Sequence, residues 1–252
     1  MKTKIFTSFV LVSTLLFSSC SKDEDQSIQL QNQSPIVLKY EQMATIDAVS
    51  TEPISYNSEN EFHAKVSSNG VITAEHVGKT KINLTNGFDS KSIQVTVEPK
   101  YNLYETPNIE WGTTKSKIKT QYGTPDNEDA DGFGYLNYSS SAPIAMFLFN
   151  SNDQLESCAI MVKMVYASTL TNFLLERYLP INVDTKDYTA TFINNLTTAE
   201  KITSIGLLAY NLNYLEVIYF DASNIFNQTK STSKTFINRY RNIAEKLISS
   251  QE

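Results

Sequence analysis

Histidine and cysteine are nearly missing from this chain, with two of each in 252 residues. Zinc needs three or four His, Cys or carboxylate ligands at compatible spacing. A Ser–His or Cys–His pair needs a base in the same pocket as the nucleophile. Both histidines, His63 and His76, fall in the N-terminal half, one at an outward strand position and one in the turn before Gly78. Both read as surface side chains. Positive charge is also short: Lys+Arg 21 against Asp+Glu 27 gives a formal charge of −6. That balance argues against nucleic acid as a partner, because phosphate binding needs a basic face. No glycine-rich phosphate loop is present, since Gly132-Phe133-Gly134 lacks the following lysine and helix. With so many acids, some carboxylate pair always matches a glycosidase spacing, and the pattern says nothing. No cofactor is implied. What is present is an ordinary core-forming composition, 41% hydrophobic and 19% charged, in a length for one large domain or two small ones.

The first residues read as an address. Lys2 and Lys4 precede an apolar stretch, Ile5 to Phe17, too short to span a bilayer as a helix. Ser18, Ser19 and Cys20 follow. The run Phe17-Ser18-Ser19-Cys20 resembles a bacterial lipoprotein lipobox, with Phe17 in place of the usual leucine. The resemblance implies a signal peptide over 1–19 and an acylated Cys20 as mature N-terminus. Each buried methylene adds about 0.8 kcal/mol, so several acyl chains give a lasting membrane anchor. Ser21-Lys22-Asp23-Glu24-Asp25 resembles the acidic export tether of Bacteroidota surface lipoproteins. It implies the outer membrane, with the folded part facing the cell exterior. Residues 20–34, rich in Gln, Asn, Ser and acids, read as a lipidated flexible tether. With Cys20 acylated, Cys158 has no intramolecular partner. It shares parity with Ile160, Val162 and Met164, which predicts a small buried hydrophobe.

Residues 35–99 read as short strands with turns and no helical period, the pattern of an all-β sandwich. Phe62, Ala64 and Val66 alternate with polar residues, and so do Ile93, Val95 and Val97. Asn69-Gly70 and Asn86-Gly87 predict tight hairpin turns. The runs Tyr56–Asn60, Val66–Ala74 and Val77–Ile82 resemble bacterial Ig-like group 2 (BIG2) domains. Their hallmarks are an Asn-Gly hairpin and a later glycine before a Thr-x-Ile strand. The resemblance implies a spacer or adhesion module on a cell surface.

Residues 100–252 read as a second, α+β domain. Thr113 or Thr114 starts a short helix that Gly123 and Pro125 end. A second helix begins at Ser168 and stops at Pro180, and a third over Thr232 to Ser249 shows the period Phe236, Tyr240, Ile243, Leu247. Three strands follow each of the first two helices. The expectation is an antiparallel sheet with helices on one face, built as a tandem repeat or by chance. The layout is loosely similar to the tandem units of β-lactamase-inhibitor-like proteins.

Two groups of residues are candidate sites. Trp111, Tyr101 and Tyr104 lie at the expected domain junction, where rings could stack on a sugar; the same spacing also suits a core. Asn127, Asp129, Asp131 and Gly132 match the opening of a calcium loop, but Tyr138 stands at the twelfth position in place of a bidentate glutamate. A solvated acidic loop is the competing reading. Lys234, Arg239, Arg241 and Lys246 read as the wet face of the last helix. The functional expectation is a non-catalytic, surface-anchored lipoprotein with a protein or glycan ligand. A polysaccharide hydrolase and an inhibitor gripping a partner enzyme are the alternatives.

Overall fold

A computed structural model describes residues 26–107, 110–184, 189–196, 203–221 and 230–250, with the side chains of the last helix described from Ile237 onward. The expected signal peptide and Cys20 lie outside the described residues.

Strands dominate. The N-terminal part holds β1 (Gln29–Leu30), β2 (Ile36–Lys39), β3 (Met43–Thr45), β4 (Ala48–Val49), β5 (Ser55–Ser58), β6 (Ala64–Val66), β7 (Val71–Ala74), β8 (Gly78–Thr85) and β9 (Ser90–Glu98). A four-stranded sheet in the order β2-β9-β8-β5 faces a three-stranded sheet, β3-β7-β6. Alternation decides which side chains meet between them. Ile82 and Leu84 of β8, Ile93, Val95 and Val97 of β9, and Ala64, Ile72 and Ala74 of the smaller sheet form one buried cluster.

Two expectations need correction here. The tether does not reach residue 34: Ile28 is buried in the same cluster, and β1 pairs with β4. Two apolar side chains two residues apart, Ile28 and Leu30, suffice to hold so short a strand on a sheet face. The Asn69-Gly70 turn is also longer than a two-residue primed turn. Gly70 alone carries positive φ, 74°. Its N–H donates to Ser67 O at 3.0 Å while Ser67 N–H donates to Val71 O at 2.9 Å. This is a type I turn closed by a left-handed glycine, the three-residue hairpin solution.

The C-terminal part comprises α1 (Lys115–Tyr122), β10 (Asn127–Glu128), β11 (Gly132–Leu136), β12 (Ile144–Phe149), β13 (Leu155–Lys163), α2 (Ala167–Leu175), β14 (Leu179–Asp184), β15 (Thr189–Ile193), β16 (Thr203–Ala209), β17 (Tyr214–Asp221) and α3 (Lys230–Ser249). Gly123, at φ 88°, ends α1 and donates its N–H to Lys119 O. All eight strands form one sheet in the order β10-β11-β12-β13-β17-β16-β15-β14. Each of the first two helices leads into a four-stranded meander, and the meanders join antiparallel through their last strands, β13 and β17. The expected three strands per helix missed the edge strands β10 and β14.

The helices do not share a face. Ile118 of α1 and Leu170, Phe173 and Leu174 of α2 pack with Phe133, Phe147, Cys158 and Tyr219. Tyr240, Ile243, Ala244 and Leu247 of α3 pack on the reverse side, against Ile144, Met146, Met161 and Ile218. Central strands are therefore covered twice, which is why every residue of β12 is buried. Cys158 is a free, fully buried thiol, and burial pushes its pKa up.

Candidate functional site

The C-terminal end of α2 meets both parts of the chain. Glu176 is fully buried. Its Oε2 accepts the Lys100 N–H at 2.8 Å and its Oε1 the Tyr101 N–H at 3.1 Å. Its backbone carbonyl accepts the N–H of Val77, in the turn between β7 and β8, at 2.7 Å. Arg177 pairs with the same carboxylate and donates to Tyr101 O at 3.1 Å and Phe173 O at 3.2 Å. The guanidinium carbon sits 3.8 Å from the Phe173 ring centroid. A buried acid and cation that complete each other's hydrogen bonds hold the connecting segment in place.

Above this clamp lies a cleft. One cavity of about 250 Å³ is lined by Phe62, His63, Val77, Thr106, Arg177, Tyr178 and Asn194. A second, of about 550 Å³, shares Val77, Thr106 and Arg177 and adds Asn102 to Glu105. Both histidines belong to this end of the molecule, and neither is a surface side chain. His76 is buried, stacked on Phe62 with centroids 4.2 Å apart, its Nδ1 2.8 Å from Phe62 O. His63 is half-buried, its ring set against Gly78. Burial holds both imidazoles below their ordinary pKa and therefore neutral at pH 7. Outward strand parity misled because residues 61–63 form a turn before β6, and the His63 ring is set against Gly78 in a cleft it shares with Arg177 and Tyr178.

Of the three aromatic candidates, only Tyr104 lines the cleft. It is buried, packs 4.6 Å from the Phe173 ring, and its hydroxyl is 2.8 Å from that of Tyr219. Tyr101 is held by its backbone in the clamp, with its side chain half-buried against the core. Trp111 is half-buried on the same core, and its Nε1 donates to Thr203 Oγ1 at 3.3 Å. Sequence reasoning read His63 as a surface side chain and passed over Arg177 and Asn194. The available signal was a Glu-Arg pair at the end of an apolar helix, where a charge must be either solvated or paired.

The acidic loop is tied down by α3. Lys246 lies 2.7 Å from Asp129 Oδ2, and Arg239 reaches Asp131 Oδ1 at 3.3 Å and Glu156 Oε2 at 2.9 Å. Asp129 Oδ1 accepts the N–H groups of Asp131 and Gly132. Burial works against ionisation of Asp129, yet Lys246 and those N–H groups hold its carboxyl below the usual range. Among the described residues, no three His, Cys, Asp or Glu are placed to hold a metal ion. Arg239 and Lys246 are thus not an idle wet face: the helix docks close enough for both to reach β10–β13.

Among the described residues, no helix is long and apolar enough to cross a membrane. No family model matches the chain, and no curated protein matches it. Solved structures overlap it at low scores. Domains 4–9 of the surface layer protein SbsC share 12% identity, with 81% of this chain and 27% of that chain covered at a TM-score of 0.27. The chain thus spans about a quarter of that structure. A mutant intimin of EHEC O157:H7 shares 15%, with 77% and 96% covered at 0.24. Human protocadherin-24 EC1-2 shares 10%, with 75% and 93% covered at 0.25.

Proposed function

We propose that the chain is a non-catalytic lipoprotein, anchored through Cys20 to the outer membrane and facing the cell exterior, that binds a glycan or protein ligand in the cleft beside Glu176 and Arg177. In this reading residues 26–99 are an Ig-like module of the BIG2 type and residues 100–252 a second, α+β domain. Support for the anchor is the order Lys2, Lys4, apolar run, Ser18-Ser19-Cys20 and acidic run.

The observation that carries the binding half is the composition of the cleft wall. Phe62, His63 and Val77 come from the turns flanking β6 and β8 in the N-terminal part, and Thr106, Tyr178 and Asn194 from the C-terminal part. Ring faces, a hydroxyl, an amide and a neutral imidazole give apolar contact with a few directed hydrogen bonds, the mixture that suits a sugar ring or an exposed protein side chain. Arg177 is spent on the clamp and acts by holding the wall.

Two experiments test the two halves. Labelled palmitate should enter the wild-type chain and not Cys20→Ala, and that variant should leave the membrane fraction. Glycan-array and pull-down screens of residues 26–252 should give a ligand whose binding falls about tenfold or more in Asn194→Ala, the loss of one or two directed hydrogen bonds. Ligand binding unchanged by Asn194→Ala and Thr106→Val together sinks the cleft, and robust polysaccharide turnover by the fragment sinks the non-catalytic reading.

A further inference from the structure

The turn between β8 and β9 exposes a phenyl ring close to the N-terminal segment that leads into β1. Phe88 is 67% exposed. The turn beneath it is fixed: Asn86 Oδ1 accepts the N–H groups of Phe88 at 3.0 Å and Asp89 at 2.8 Å. Asn86 Nδ2 donates to Gln26 O at 2.6 Å and to Ser50 Oγ at 2.7 Å. Gln26, six positions after Cys20, is therefore bonded to the turn that carries Phe88. Val49, next to Ser50, is 56% exposed on the same end. Asp89, the turn's charge, is drawn back: its Oδ2 accepts the Ile28 N–H at 2.9 Å and lies 3.2 Å from Lys91.

Chain length supplies the occupant. This step rests on the reading that Cys20 is acylated. Only Ser21 to Asp25 separate Cys20 from Gln26, and six Cα–Cα steps reach at most about 22 Å. The junction at Lys100 lies at the other end of nine-residue β9, about 30 Å further along. The anchor thus holds the Phe88 end, and not the cleft, next to the bilayer. Two side chains are far too little surface for a stable protein partner, which needs about 1,200 Å² or more. An aromatic ring and a valine at the end of a fixed turn do suit the interfacial layer of a membrane. We infer that Phe88, with Val49 beside it, enters the lipid surface to which Cys20 is tethered. It gives the molecule a second membrane contact that points the cleft outward.

The single tryptophan of the chain makes this measurable. In the Trp111→Phe background, Phe88→Trp places one reporter on the turn, and Leu212→Trp, at a position 93% exposed in the β16–β17 hairpin, gives a control. The lipidated full-length proteins are bound to phosphatidylcholine vesicles carrying brominated acyl chains. Quenching at position 88 should exceed that at 212 by about twofold or more, with blue-shifted emission. Equal quenching, or water-like emission at 88 while the protein floats with the vesicles, overturns the inference and leaves the anchor standing. Failure of the Cys20-bearing chain to float overturns the anchor and the inference together. Phe88→Cys carrying an environment-sensitive dye repeats the measurement with Trp111 intact, since Cys20 would be acylated and Cys158 is buried.

Discussion

Glu176 and Lys100 are joined by a 2.8 Å hydrogen bond from backbone N–H to a fully buried carboxylate, 76 residues apart in sequence. Through that carboxylate, with Tyr101 and Arg177 on its remaining lone pairs, the connecting segment becomes part of the α2 terminus. Glu176→Ala strands a guanidinium and two N–H groups, and the expected loss is about 3–5 kcal/mol. Glu176→Gln keeps one acceptor and should lose about 1–2 kcal/mol. Urea unfolding of the two variants checks the ranking. Limited proteolysis should show new cleavage near residues 99–107 in the alanine variant.

Gly78 sits at φ 149°, and a Cβ there would meet the His63 ring at 2.2 Å. Gly78→Ala forces the imidazole out of the cleft wall and should destabilise by about 1–3 kcal/mol. Gly87 is the control. Its φ is 87°, but a Cβ meets nothing within 4 Å, so Gly87→Ala carries backbone strain alone, about 1 kcal/mol. Thermal unfolding should order them accordingly, and only the first should disturb the His63 resonances in NMR.

Much of the local structure was legible because it obeys short-range rules. The Gly123 stop of α1, the alternation in β8 and β9 and the places, though not the type, of the turns at Gly70 and Gly87 each depend on residues within a few positions. Layering does not. The helices were expected on one face, yet the continuous apolar runs Ile144–Phe149 and Cys158–Val162 already required cover on both sides of the sheet. β14 escaped because Pro180 argues against a central strand but not against an edge, where it sits beside a bulge at Ile181. The site was least legible. Glu176 and Arg177 look like any exposed pair until a partner 76 residues away removes the water.

The acidic loop supports a separate prediction. Arg239 is mostly buried and holds Glu156, Asp131 and the carbonyl of Phe149 at 2.9 Å. Arg239→Ala should lose about 2 kcal/mol. Lys246 is 49% exposed, and Lys246→Ala should lose under about 1 kcal/mol, less still at high salt. Removing both leaves Asp129, Asp131 and Glu156 without their cations. Urea unfolding checks the ranking, with the double variant below both single variants.

Glu216 is the strongest test of how α3 is held. It lies on β17 between Met161 and Leu208 in the neighbouring strands, on the face that α3 covers. Neither side-chain oxygen has a hydrogen-bond partner among the described residues, and the residue is fully buried. Burial pushes its pKa up to about 7, with Arg241 pulling weakly the other way. The unfolded chain would ionise near the ordinary value of 4.5. Above that pH the unfolded state gains a solvated charge while the folded state must keep its proton. Stability is therefore full below the unfolded pKa, falls as pH rises toward 7, and levels off once both states are ionised. The displacement corresponds to about 3 kcal/mol. Urea unfolding from pH 4 to pH 8 should show this decline in the wild type and not in Glu216→Gln. Glu216→Leu, which fills the site with apolar atoms, should be more stable than the wild type at pH 8 and closest to it at pH 4. A wild-type profile parallel to that of Glu216→Gln would mean that the carboxyl is solvated and that α3 does not seal this face.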